Sequence, residues 1–331
     1  MNRRYNWGII GPGRIAEKFA SDLQLLPNAK LYAVASRDIS RATEFAKRYS
    51  ADKAYGSYKE LTQDPNVDIV YIATPHTRHY SNSLLCLENK KSVLCEKPVA
   101  INSRQCSIMV EKAKINNVFF MEAMWTRFLP SFIRLKELID KKVIGDLLNI
   151  EADFGFRSSI DEKDRLFNPE LGGGSLLDIG IYPVFLAYQL AGIPLKIRAF
   201  STLSESGIDH STTMMFEHEK KVNSALLSSI VTSTRTEAII YGKEGVIKVR
   251  PRWFMVSDIE LIKNGQAPEV FSFTQQGFGY QYEASEVMNC LDKGLIESEK
   301  YSWTNSVDIM SILDKVRSIT GIRYPDYIEN A

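Results

Sequence analysis

No uninterrupted run of 18 apolar residues occurs in the 331-residue sequence, so no membrane-spanning helix and no membrane partner is expected. The first residues, MNRRYNWGII, lack an apolar h-region and a small-residue cleavage site, which predicts a cytoplasmic location. An excess of one charge is also missing: 41 Lys and Arg face 40 Asp and Glu, leaving +1, so nothing points to nucleic acid or another polyanion. Cysteine is scarce, with Cys86, Cys95, Cys106 and Cys290 forming no CxxC pair, which fits a reducing compartment. The four histidines, at 76, 79, 210 and 218, have no zinc-type companion set, so no metal is expected. A P-loop, a nucleophile elbow, internal repeats and low-complexity tracts are absent too.

What is present is ordinary for globular proteins: 44% hydrophobic and 24% charged residues, in a chain long enough for two domains of about 100–200 residues each. From Tyr5 to about residue 122, short β-branched runs alternate with helical patterns, beginning at Tyr5–Gly11, Lys30–Ser36, Ile69–Ala73, Ser92–Glu96 and Val118–Glu122. That rhythm predicts βαβ units and a parallel Rossmann sheet over residues 1–123. Beyond it, a helix near 131–141, the strand-like Leu147–Arg157 and a helix from about Ser175 to Leu190 lead into strand-length segments with tight turns. These predict an α+β domain over 124–331 with a mostly antiparallel open sheet, closed by amphipathic helices near 280–293 and 304–320. The fold class is therefore α/β, a Rossmann domain followed by an α+β domain.

The first strand runs into Gly11-Pro12-Gly13-Arg14-Ile15-Ala16, a GxGxxA turn placed between strand and helix. Gly11 permits the tight turn, Gly13 lets backbone approach a pyrophosphate, and Ala16 allows close helix packing. Pro12, Arg14 and Ile15 complete a loop and first helical turn that attract the anion. The second strand ends in Ser36-Arg37, with Arg41 one turn on. Guanidinium groups suit a 2′-phosphate, so NADP is expected; Asp38 keeps NAD open, because a carboxylate there could reach the ribose.

Thr74-Pro75-His76, with His79 a few residues on, and Glu96-Lys97-Pro98 each follow a strand at the carboxyl edge where such sheets bind ligands. All six positions other than Pro98 are candidate cofactor contacts, and Lys97 is a candidate for proton transfer if it is partly desolvated. In the second half, Asp178 and Tyr182 are four apart on a predicted helix, projecting a carboxylate and a phenol together, with Gly180 leaving room for a ligand. A free phenol titrates too high for work near neutrality, and a neighbouring ammonium would lower it.

GxGxxA, Glu96-Lys97-Pro98 and Gly174-Ser-Leu-Leu-Asp178-Ile-Gly180-Ile-Tyr182 together resemble the Gfo/Idh/MocA oxidoreductase family over essentially the whole chain. Met121-Glu122-Ala-Met-Trp125-Thr-Arg127-Phe128-Leu-Pro130 is similar to the dimeric dihydrodiol dehydrogenase branch, related to NADP-dependent D-xylose dehydrogenases. Gly277–Glu283 resembles a segment of that branch, with no chemistry assigned. The resemblance implies an enzyme that moves a hydride between NADP and a secondary alcohol of a sugar, polyol or trans-dihydrodiol without a metal. It implies Lys97 as the motif lysine, Tyr182 as proton donor or acceptor, and Asp178 as its orienting partner or a substrate ligand. Trp125, Arg127 and Phe154 would line the substrate pocket, although the two aromatics serve equally well as core. It further implies a homodimer or higher homo-oligomer through the second-domain sheet. The alternatives are an NAD-dependent inositol or sugar dehydrogenase, a glycosidase-like member with bound cofactor, and a non-catalytic NADP-binding regulator.

Overall fold

Six strands form the parallel sheet of the N-terminal part: β1 (Tyr5–Ile10), β2 (Ala29–Ala35), β3 (Lys53–Tyr55), β4 (Ile69–Ile72), β5 (Ser92–Glu96) and β6 (Phe120–Ala123). Their order, β3-β2-β1-β4-β5-β6, is that of a doubly wound dinucleotide fold, and it reverses between β1 and β4. The computed structural model describes residues 3–159 and 164–331. β4 and β6 are buried at every residue; β4 is therefore an unbroken apolar run, whereas β6 carries Glu122 among apolar residues. β3 and the six-residue helix α3 are not foreseen, being short and polar.

The connecting helices are α1 (Arg14–Leu23), α2 (Ile39–Tyr49), α3 (Tyr58–Gln63), α4 (His79–Glu88) and α5 (Ser103–Asn116). Asp38 caps α2, Ser57 and Glu60 form a capping box on α3, and Asn102 caps α5. Among the described residues no side chain caps the start of α1 at Gly13.

The chain divides into two compact units, the first comprising residues up to Phe128 with Gln275–Val307, the second Leu129–Thr274 with Asp308–Ala331. This differs from the single change near residue 123 expected from the sequence, because segment 275–307 returns to the first unit. Asp22, at the end of α1, accepts the backbone N–H groups of Phe278 (2.8 Å) and Tyr280 (2.8 Å), which begins the helix Tyr280–Asp292. Gly277 is required there, since a Cβ would stand 2.2 Å from an Asp22 oxygen. Further on, Phe120 N–H donates to Ile296 O (3.0 Å) and the Trp303 indole donates to Phe120 O (2.8 Å), fastening the segment to β6.

The second unit holds an eight-stranded sheet. Its strands are β7 (Leu147–Gly155), β8 (Lys196–Leu203), β9 (Asp209–Glu217), β10 (Asn223–Ser229), β11 (Ala238–Gly242), β12 (Gly245–Val249), β13 (Ile259–Lys263) and β14 (Glu269–Phe271). The order is β14-β13-β12-β11-β7-β10-β9-β8, antiparallel except where β7 runs parallel to β10. Burial alternates along β9 and β10, so one face is packed and the other open. Pro130–Asp140 forms α6 and Ile181–Ala191 forms α7. Pro169–Ala191 is long and apolar enough by mean hydropathy to cross a membrane, but 89% of that window is buried inside the protein, which makes it a core helix.

Candidate active site

In the first unit the glycine turn after β1 and the segments after β4 and β5 lie at the carboxyl edge, beside the point where strand order reverses. Gly11 has φ +88°, and a Cβ there would meet the Thr74 methyl at 2.9 Å, so only glycine lets the turn close on β4's end. Around Gly13 the reverse holds. No atom lies within 4 Å of where its Cβ would be, and the α1 N-terminus has no side-chain cap. Open space over uncapped N–H groups fits a dinucleotide pyrophosphate. Pro12 and Ile15 are half-buried and Arg14 is exposed.

At the end of β2, Ser36 accepts the Asp38 N–H (3.2 Å), while Asp38 accepts the Ser40 N–H (2.9 Å) and the Ser40 hydroxyl. The Ser40 hydroxyl, with the Ser40 amide and the Arg41 charge, holds the Asp38 carboxyl below its ordinary range. That carboxylate is thus occupied as a helix cap. Arg37 and Arg41 are exposed, and the Arg41 guanidinium reaches Pro12 O at 3.4 Å, over the glycine turn.

Thr74 is held by the Asn82 amide (3.1 Å), a contact nothing in the sequence suggested. Half-buried Pro75 follows, and the buried His76 ring lies 5.7 Å from that of His79. His79 is fully buried, its two ring nitrogens facing Pro98 O (2.7 Å) and Thr74 O (2.8 Å). Glu96 takes the Tyr71 phenol and the Lys97 N–H (3.2 Å). The side chains of His79 and Glu96, expected at the cofactor, are therefore used inside the unit to shape its loops. Val99 is gripped twice: its N–H by Glu122 (2.9 Å), its carbonyl by the Cys95 thiol (3.8 Å). Lys97, half-buried, is the charged member of this pinned loop. Buried Trp125 stacks on Tyr280 (4.9 Å, 21°), with half-buried Arg127 nearby in sequence, both in this unit.

The second unit carries Asp178, Tyr182 and Phe154. Residues Leu176–Gly180 form a π turn before α7, so the spacing from Asp178 to Tyr182 crosses a change of helix type. One Arg165 guanidinium nitrogen lies 3.2 Å from both Asp178 oxygens. Gly180 faces β10, where a Cβ would meet the Ser228 hydroxyl at 2.9 Å, so it serves close packing and not ligand space. Tyr182 is 5% exposed, with Phe154 and Phe254 at 5.5 and 5.4 Å, and those two rings stack at 3.8 Å and 11°. Asp209, fully buried, accepts Ser175 Oγ (2.5 Å), Leu176 N–H (2.8 Å) and Thr212 Oγ (2.7 Å) on one oxygen. Burial pushes its carboxyl up to about 6, against those three donors. Gly174 (φ +108°) passes so close that a Cβ would stand 2.5 Å from the other oxygen. Among the described residues no group of three or more His, Cys, Asp or Glu is arranged to hold a metal.

The profile of an oxidoreductase family with an NAD-binding Rossmann fold matches residues 5–124, and that of the GFO/IDH/MocA C-terminal domain matches 132–248. A trans-1,2-dihydrobenzene-1,2-diol dehydrogenase of Xenopus laevis is 38% identical, covering 96% of this chain and 99% of its own. Its counterpart in Homo sapiens is 36% identical, over 96% and 98%. Among solved structures, an aldose-aldose oxidoreductase from Caulobacter crescentus complexed with glycerol superposes with TM-score 0.88 at 20% identity, over 96% and 98% of the two chains. A 3-ketoreductase from Actinomadura kijaniata in complex with NADP and TDP-benzene gives 0.87 at 21%, also over 96% and 98%. At such identities these two establish the shared fold.

Proposed function

The chain belongs to the Gfo/Idh/MocA family of oxidoreductases, and from that premise we propose that it oxidises, reversibly, a secondary alcohol of a trans-dihydrodiol, sugar or polyol with NADP. The bound nicotinamide supplies the two-electron acceptor for such a reaction, which leaves the protein the proton to manage. Gly11, Pro12 and Gly13 would hold the pyrophosphate at the α1 N-terminus, and Arg37 and Arg41 the 2′-phosphate. The use of the Asp38 carboxylate as a helix cap supports NADP over NAD. Tyr182 Oη takes the proton from the substrate hydroxyl. Lys97 is the second residue assigned to that proton transfer.

Phe154, Phe254 and Tyr182 give the second unit an apolar wall suited to a carbocyclic ring, while the Asp178–Arg165 pair can hydrogen-bond neighbouring hydroxyls. One observation carries the reading: the site lysine and tyrosine motifs occur in a chain whose relatives of 38% identity over nearly their full length are named dihydrodiol dehydrogenases. The open sheet face carries exposed Phe200 and Met215 on neighbouring strands, which supports a homodimer through that face. Four buried cysteines, none in a disulfide among the described residues, support a reducing, cytoplasmic setting.

Trans-1,2-dihydrobenzene-1,2-diol, D-xylose, inositols and simple polyols, each offered with NADP and with NAD, test the reading through the absorbance of reduced nicotinamide. Turnover of at least one with NADP preferred is expected. No turnover with any of them, or a clear preference for NAD, would overturn it.

A further inference from the structure

Glu122 is buried in the first unit, at 1% exposure, one strand over from the Glu96-Lys97-Pro98 loop. In the parallel register it pairs with Cys95, so both side chains rise on one face at the strand ends and meet the same residue, Val99. One Glu122 oxygen accepts the Val99 N–H at 2.9 Å and the other accepts the Tyr301 phenol at 3.0 Å. A carboxylate can accept both contacts with no proton of its own. A charge so deeply buried is costly unless it is paired and hydrogen-bonded.

Resting on the reading of Lys97 above, we infer that Glu122 is a positioning residue for Lys97. Its carboxylate fixes the loop through Val99 and supplies a fixed negative charge that keeps the lysine in its ammonium form. Burial pushes the Glu122 carboxyl above its ordinary range, opposed by hydrogen bonds from Ser306, Val99 and Tyr301 and by the Lys97 charge. The attraction is mutual, so the same proximity favours the ammonium. The other titratable groups around the pair are Cys95 and Glu96 on β5, His79 on α4, Cys106 on α5, and Tyr301. Burial raises the Cys95 thiol and the Tyr301 phenol well above their ordinary values, so both stay neutral through an assay near neutrality. Glu96 is engaged by Tyr71 and by the Lys97 backbone. The dividing line between the charged and merely structural roles of Glu122 is therefore the titration of Lys97.

Glu122→Gln removes the charge while keeping the shape. Its carbonyl can accept from Val99, and the Tyr301 and Ser306 hydroxyls can turn to accept from its amide. The variant is expected to fold and to bind NADPH within about threefold of the parent, to lose roughly tenfold in kcat, and to move the alkaline limb of the kcat profile down by roughly half to one pH unit. In a Lys97→Met background the same change should cost less than about twofold, because the two act as one unit. An unmoved alkaline limb, or a full additional loss in the Lys97→Met background, would overturn the inference while leaving the role of Lys97 intact. Undiminished turnover in Lys97→Met alone would instead remove the proposed proton chemistry, and the role of Glu122 with it. Should Glu122→Gln not fold, Glu122→Asp keeps the charge but draws it back by one methylene. The limb must then still move down, by less, and an unmoved limb overturns the inference equally.

Discussion

Each unit fixes the segment bearing a candidate proton-transfer residue with a buried carboxylate, Glu122 beyond Lys97 and Asp209 before Asp178 and Tyr182, yet the two are wired differently. Glu122 accepts on both oxygens, from Val99 and from Tyr301. Asp209 collects three donors on one oxygen and leaves the other facing Gly174, without a hydrogen-bond partner among the described residues. The difference separates two uses of a buried acid. Glu122 has a lysine ammonium near enough to favour its charge, whereas the groups that favour the Asp209 carboxylate are neutral hydroxyls and amides. On this view the first carboxylate is electrostatic and geometric, the second geometric alone.

The comparison breaks most severely if the second unit holds no proton chemistry at all. Tyr182→Phe keeps the ring between Phe154 and Phe254, so the melting curve should be unchanged while kcat falls by about 10²–10⁴. Parent-like turnover would take the proton transfer away from this unit.

Asp209 sharpens the comparison through pH. Its folded value of about 6 lies above the ordinary 3.8, so the folded protein holds that proton more tightly than the unfolded chain. The associated stability is fully present below about pH 4 and is lost as pH rises to about 6, a change on the order of 3 kcal/mol. Asp209→Asn, with its carbonyl meeting the three donors, should lack that fall when urea unfolding is followed from pH 4 to 7. A variant that tracks the parent across the range would mean the one-sided wiring carries no penalty.

A smaller effect checks that the first unit's charges serve the cofactor. Arg37→Asp should weaken NADP binding by about 10–100-fold, the scale of a lost charge-assisted contact, with NAD binding little altered. Equal weakening of both dinucleotides would place Arg37 in general support of the loop.

The first unit was legible because its signals are local. Apolar strands buried on both faces declare themselves within five or six residues, and Gly11 and Gly13 sit directly after one of them. What escaped depends on contacts far apart in the chain. Asp22 meets Phe278 across 256 residues, and this is what draws segment 275–307 out of the second half. Glu122 and Tyr301 are 179 apart, and the β7–β10 pair is parallel although the turns around it suggest hairpins. Asp178 and Tyr182 stand out by their spacing, but the π turn that begins at Leu176 has no sequence signal, and Arg165 emerges as a partner of the Asp178 carboxylate. Phe254, against Tyr182, is 72 residues downstream with no periodicity linking them.

If proton transfer rests on Lys97, as proposed, Lys97→Met decides it when turnover and NADPH binding are measured on the same preparation. The expected result is a loss in kcat of about 10²–10⁴ with NADPH affinity within a few-fold of the parent. Full turnover with the substrate identified in the screen would contradict it.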